Sequence, residues 1–126
     1  MLNIEKQLEY WISSAKSDLE AAELLIRESR YIQGLFFCHL VIEKALKAHV
    51  VKVTGQIPPK THNLIYLLEL SDIDIGDNNE DLLGILMKYQ LEGRYPDYNS
   101  VIPTKEKVSE YFNRTKELLT WIERKL

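Results

Sequence analysis

The stretch Tyr31–Thr54, YIQGLFFCHLVIEKALKAHVVKVT, decides the fold. More than twenty residues run without a turn signal before Gly55, and that length argues for a helix over a strand. Its first half, YIQGLFFCHLVI, is apolar almost all round, with Gln33, Gly34 and His39 the exceptions. A helix apolar on every side sits centrally, covered by neighbours rather than by water. Its second half turns amphipathic, with Leu46, Val50 and Val53 continuing the apolar stripe. Gly55 then stops the helix, and Pro58-Pro59 hold the following stretch extended.

Working outward, the neighbours needed to cover this helix are present. From Ile4 to about Arg30, apolar residues recur at Leu8, Trp11/Ile12, Ala15, Leu19, Ala22 and Leu25/Ile26. Steps of three and four make one continuous stripe, the mark of an amphipathic helix. On the other side, Thr61 or Asn63 caps a short helix carrying Leu64, Leu67, Leu68 and Leu70. The acidic loop SDIDIGDNNED follows, and Asn79 or a neighbour opens a fourth helix through Leu82, Leu83, Leu86 and Tyr89, ending near Gly93. RYPDYNSVIP is an irregular loop, after which Thr104 caps a last helix through Val108, Tyr111/Phe112, Leu118/Leu119 and Ile122. The expected architecture is all-α: an antiparallel up-and-down bundle of four to five helices, three of them long, in one domain spanning residues 1–126.

Composition agrees and removes several function classes. Hydrophobic residues at 45% and charged residues at 28% are those of a folded domain. Only nine residues are Gly or Pro, too few for a turn-rich all-β chain. The single cysteine, Cys38, excludes an internal disulfide framework and any multi-Cys zinc site. The opening MLNIEKQLEY has no apolar core of a secretory signal, and no apolar run approaches the ~18 residues that span a bilayer. A cytoplasmic protein without a membrane partner is expected.

Net charge is −3, which argues against a protein that coats DNA through phosphate neutralisation alone. The distribution is more informative. Residues 30–64 hold five bases (Arg30, Lys44, Lys47, Lys52, Lys60) against Glu43 alone, whereas residues 65–92 hold seven acids against Lys88 alone. A basic segment beside an acidic one can bind an anion locally despite an unfavourable total; the alternative is a set of charges that merely solvate helix faces.

Within the central helix His39, Glu43 and Lys47 fall at i, i+4 and i+8, so their side chains stack on one face. A histidine beside a carboxylate is held in one tautomer, as proton transfer requires. The alternative is an ordinary polar stripe in which Glu43 and Lys47 pair across one turn. The adjoining apolar run makes unpartnered charge expensive, which favours a shared internal network or a lined cleft. Metal binding is rejected. His39 and His49 stand ten residues apart, about 15 Å along one helix, and no His-Glu-x-x-His pattern or paired Cys brings in His62 or a carboxylate. Cys38 and His39 are helix neighbours that point about 100° apart, so they make no nucleophile–base pair. The remaining candidate is Arg94-Tyr95-Pro96. A guanidinium beside an aromatic ring reads a phosphate or a stacked base, unless Arg94 instead ties the loop to Glu92 or Asp97.

Taken together, FFCHLVIEKALKAH, then PPKTHNLIYLLEL, then RYP before a final long helix resembles the HEPN domain, the small helical domain found in prokaryotes alone or beside a minimal nucleotidyltransferase. The likeness spans about Tyr10 to Ile122, with Glu43–Ala48 its most specific piece and Thr61-His62 the next. It implies a homodimer with a groove for nucleotide or RNA, and no cofactor. Many HEPN proteins are metal-independent ribonucleases of toxin–antitoxin systems that carry an Arg followed, four to six residues on, by a His. Here no Arg precedes His39, His49 or His62 at that spacing, and the nearest substitute is Lys44 before His49. Lysine lacks the bidentate fork that grips a phosphate.

The first reading is therefore a nucleotide- or RNA-binding module using Lys44, Lys47, His62, Arg94 and Tyr95, acting with a separately encoded nucleotidyltransferase in a toxin–antitoxin-like system. The second is a metal-independent ribonuclease toxin, its catalytic candidates His39, Glu43 and His49 with Lys44 or Arg94 as the cation. The third is a noncatalytic dimeric partner protein whose polar residues fix helix register.

Overall fold

The computed structural model describes residues 2–94 and 102–126, excepting the side chains of residues 92–94. Five helices follow one another: α1 (Ile4–Arg27), α2 (Tyr31–Thr54), α3 (Leu64–Ser71), α4 (Asp77–Arg94) and α5 (Lys105–Arg124). No strand occurs among the described residues. The bundle is all-α, as the patterning predicts, and α2 is its axis. It packs against each of the other four helices. Leu35, Ile42 and Leu46 are fully buried, each contributing about 1.5–3 kcal/mol by leaving water.

The caps explain the boundaries. Asn3 accepts from the amide of Lys6 at 3.1 Å and starts α1. That helix ends at Arg27, three residues before the expected boundary, because Ser29 takes a left-handed φ of 62°. The amide of Arg30 then closes back on the Leu25 carbonyl at 2.8 Å, satisfying the helix end without a glycine. The chain reverses directly into α2. Close α1–α2 contact follows at Gly34, where a Cβ would stand 2.5 Å from Ile26 Cγ1. At the other end of α2, Gly55 caps in the left-handed region, φ 68°.

Of the two candidate caps for α3, Asn63 is the one used: its Oδ1 accepts from the amides of Ile65 and Tyr66 at 3.0 and 3.1 Å. Helix α4 begins two residues before Asn79. The carbonyl of Gly76, φ 83°, accepts from Glu80 N at 3.0 Å, and Asp74 Oδ1 accepts from Gly76 N at 2.9 Å. Thr104 caps α5 as its hydroxyl spacing suggests, accepting from Lys107 N at 3.2 Å. No helix among the described residues is long and apolar enough to cross a membrane.

Candidate functional site

On α2 the apolar surround leaves one polar row, and the loop after Gly55 folds back onto it. Glu43, 4% exposed, is its hub. Its Oε1 lies 2.8 Å from His62 Nδ1, and its Oε2 accepts from Lys47 Nζ at 3.1 Å. His39, fully buried, sits one turn earlier with Nδ1 3.7 Å from Glu43 Oε1. A carbonyl can only accept, so His39 Nε2 carries its proton and donates to the His62 carbonyl at 2.9 Å. The loop is thus fastened twice, through its backbone by His39 and through its imidazole by Glu43. The indole of Trp11 on α1 closes the network, with Lys47 Nζ 5.4 Å from its ring centroid.

The other sequence candidates are placed elsewhere. Lys44 turns to α1, where Asp18 and the Ser14 hydroxyl hold its ammonium, each at 2.7 Å. His49 is 3% exposed and its Nε2 meets the Ile122 carbonyl of α5 at 3.3 Å. Burial holds its pKa below the ordinary imidazole value, opposed by that carbonyl and assisted by Lys52. Cys38 is fully buried, and desolvation pushes its thiol up to about 12 despite a hydrogen bond with Thr115. Arg94 is the last residue of α4, and its side chain, like the whole of Tyr95, lies outside the described residues. His39, Glu43, Lys47 and His62 are therefore brought together, while Lys44 and His49 are not. No group of His, Cys, Asp and Glu able to hold a metal occurs among the described residues.

The network reaches the surface at His62, whose side chain is half exposed. There it edges a groove of about 450 Å³ between the start of α3 and α4, lined also by Asn63, Gly84, Met87, Lys88 and Leu91. That volume lies in the small-molecule range. A somewhat larger hollow, about 550 Å³, runs along α5 beside Trp121, with no member of the buried network in its wall. The groove at His62 is the better candidate, because a buried carboxylate fixes the orientation of one of its walls. Gly84, Met87 and Lys88 are site residues that the helical pattern alone does not single out; the glycine within the apolar run LLGILM is the available signal.

A helical bundle with one buried, carboxylate-centred polar network opening onto a groove is the class of protein that these features define. The chain belongs to the HEPN family: the HEPN domain model matches residues 8–125. Among solved structures, TT1696 from Thermus thermophilus is similar at 24% identity and a TM-score of 0.80, covering 95% of this chain and 98% of that one. ST0689, described as an archaeal HEPN homologue, is also 24% identical, with a TM-score of 0.63 over 99% of this chain and 98% of its own. At that identity these likenesses establish the fold. No curated protein matches the sequence significantly.

Proposed function

We propose that this HEPN protein is a nucleotide- or RNA-binding module, dimeric and acting beside a nucleotidyltransferase in a toxin–antitoxin-like system. One observation carries the choice of binding over cleavage: the groups that cleavage would need are turned inward. His39 and His49 are buried on backbone carbonyls, and Lys44 and Lys47 of α2 are neutralised by Asp18 and Glu43. A base and a cation converging on one accessible phosphate are needed for attack by a 2′-hydroxyl. The binding surface is then the His62 groove, with Lys88 as its described cation and Arg94 and Tyr95 next along the chain. The dimer and the nucleotidyltransferase rest on family resemblance.

One contact favours the second reading. A carboxylate 2.8 Å from an imidazole Nδ1 is the arrangement that orients a general base, so in a ribonuclease reading His62 replaces His39 and His49 as the base. Incubating the protein with short RNA in a metal chelator separates the two. Retained binding at low salt with intact RNA is the expected result. Products ending in a 2′,3′-cyclic phosphate, lost in His62→Ala, would replace binding by cleavage. Whether the adjacent reading frame encodes a nucleotidyltransferase, and whether that protein co-purifies on co-expression, tests the partner.

A further inference from the structure

Deepening that reading, we infer that the α3–α4 groove takes a single nucleotide unit, base against Gly84 and one phosphate at Lys88, and disfavours a polyphosphate. Gly84 lies in the interior of α4, where glycine is costly relative to alanine. A Cβ built on it meets nothing within 4 Å, so no packing among the described residues requires its absence. The missing side chain serves something approaching α4 from outside: a flat ring can lie on the bare helix backbone there. Met87 and Leu91, one and two turns on, flank that position with apolar side chains, and His62 closes the end fixed by Glu43. Flat, mostly apolar and edged with polar atoms, a nucleobase suits such walls.

Charge decides how much phosphate can follow. Lys88 lines the groove one turn beyond Gly84 and is the sole base in residues 65–92. One turn before Gly84, the same helical row carries Glu80 and Asp81. The groove's described wall therefore carries one ammonium, and the two carboxylates lie outside it, one turn back along α4. A single phosphate is matched by Lys88. No second cation lines the groove among the described residues, and the seven acids of residues 65–92 oppose additional phosphates through their summed field. The chemistry is shared by a free nucleoside monophosphate and by one residue of an RNA chain.

Titrations of the full chain with adenosine, AMP, ATP and a short single-stranded oligoadenylate, followed by amide and histidine-ring NMR shifts, test this directly. AMP should shift Gly84, Met87, Lys88, Leu91 and the His62 ring, and ATP should bind no tighter than AMP. Gly84→Leu fills the groove while removing a helix-interior glycine, so the protein should melt no lower than wild type yet bind AMP at least tenfold more weakly. Lys88→Ala should weaken AMP but leave adenosine unchanged. If the oligoadenylate binds and AMP does not, with the same shifts and the same Gly84→Leu loss, the unit belongs to an RNA chain. Nucleotide binding unaffected by Gly84→Leu overturns the groove and leaves the wider nucleotide reading standing. ATP binding tenfold tighter than AMP overturns the one-phosphate inference, and no binding of any probe to wild type removes both readings.

Discussion

Two buried histidines on the same helix make the same backbone bond and do different work. His39 and His49 each place Nε2 on the carbonyl of a distant element, His62 at 2.9 Å and Ile122 at 3.3 Å. Around His39 the protein gathers a carboxylate, an ammonium, an indole and a second imidazole. At His49 burial dominates, with Lys52 the charge that acts on it, and its proton affinity falls. One half of α2 commits its polar residues to fixing a loop that carries a groove. The other half fastens the end of α5, through His49 on the Ile122 carbonyl and Lys52 Nζ donating to the Lys125 carbonyl at 2.7 Å. A histidine's meaning here comes from the company it keeps, not from its helix or its burial.

The strongest way to break this contrast is to remove the hub. Glu43→Ala strands Lys47, 7% exposed, beside two imidazoles with no compensating anion. Breaking a buried pair from one side costs about 3–5 kcal/mol, and urea unfolding should show it. A loss below about 1 kcal/mol would mean that the network is solvated and the loop held by backbone alone.

The His49 side gives the next largest effect, and it is visible as pH dependence. Its folded pKa is lowered below that of the unfolded chain, so the unfolded state binds more protons. The stability it contributes is complete above about pH 6.5 and is lost as pH falls from there through the lowered folded value. The slope from one such group is at most about 1.4 kcal/mol per pH unit. His49→Gln should flatten unfolding free energy against pH in that window, while a variant with the wild-type slope would assign the acid sensitivity to another group.

How much of this is legible in the sequence follows from the physics of each piece. Helix α2 is legible because an all-round apolar run of that length has only one covered position in a bundle. His39, Glu43 and Lys47 are legible as a row because helical spacing is local. That row's real partner is not. The nearest imidazole to Glu43 is His62, nineteen residues on, at 2.8 Å against 3.7 Å for the i−4 His39, and nothing in a helical period says where a loop after Pro58-Pro59 returns. Lys44 illustrates the same limit. It adjoins Glu43 in sequence, but it faces α1 and pairs with Asp18, and only the packing of two helices decides that. The end of α1 falls earlier than its apolar stripe suggests because Ser29 adopts a conformation usually left to glycine or asparagine.

Smaller again is the cap beside His62. Asn63 Oδ1 satisfies two amides at the start of α3, and Asn63→Ala should cost about 1 kcal/mol in urea unfolding. Because the cap holds the residue after His62, the same variant sharpens the comparison. It should disturb the His62 ring signals while leaving those of His49 unmoved. Equal disturbance of both would mean that the two halves of α2 are not independent.

The smallest effect belongs to an ion pair that looks as good as any in the molecule. Lys16 Nζ lies 2.7 Å from Glu123, the same distance as Lys44 from Asp18. Their surroundings differ: the side chains of the first pair are 54% and 40% exposed, those of the second 22% and 15%. An exposed pair gains little, since water solvates both charges when it breaks and the ordering of two long side chains offsets the attraction. Lys16→Ala should therefore change stability by less than about 0.5 kcal/mol. Lys44→Ala also strands Asp18 against α2 and releases Ser14, so its cost should be several times larger. Equal losses in the two variants would mean that contact length rather than burial sets their worth, and the separation drawn between the inward-facing lysines of α2 and the solvated charges around them would fall with it.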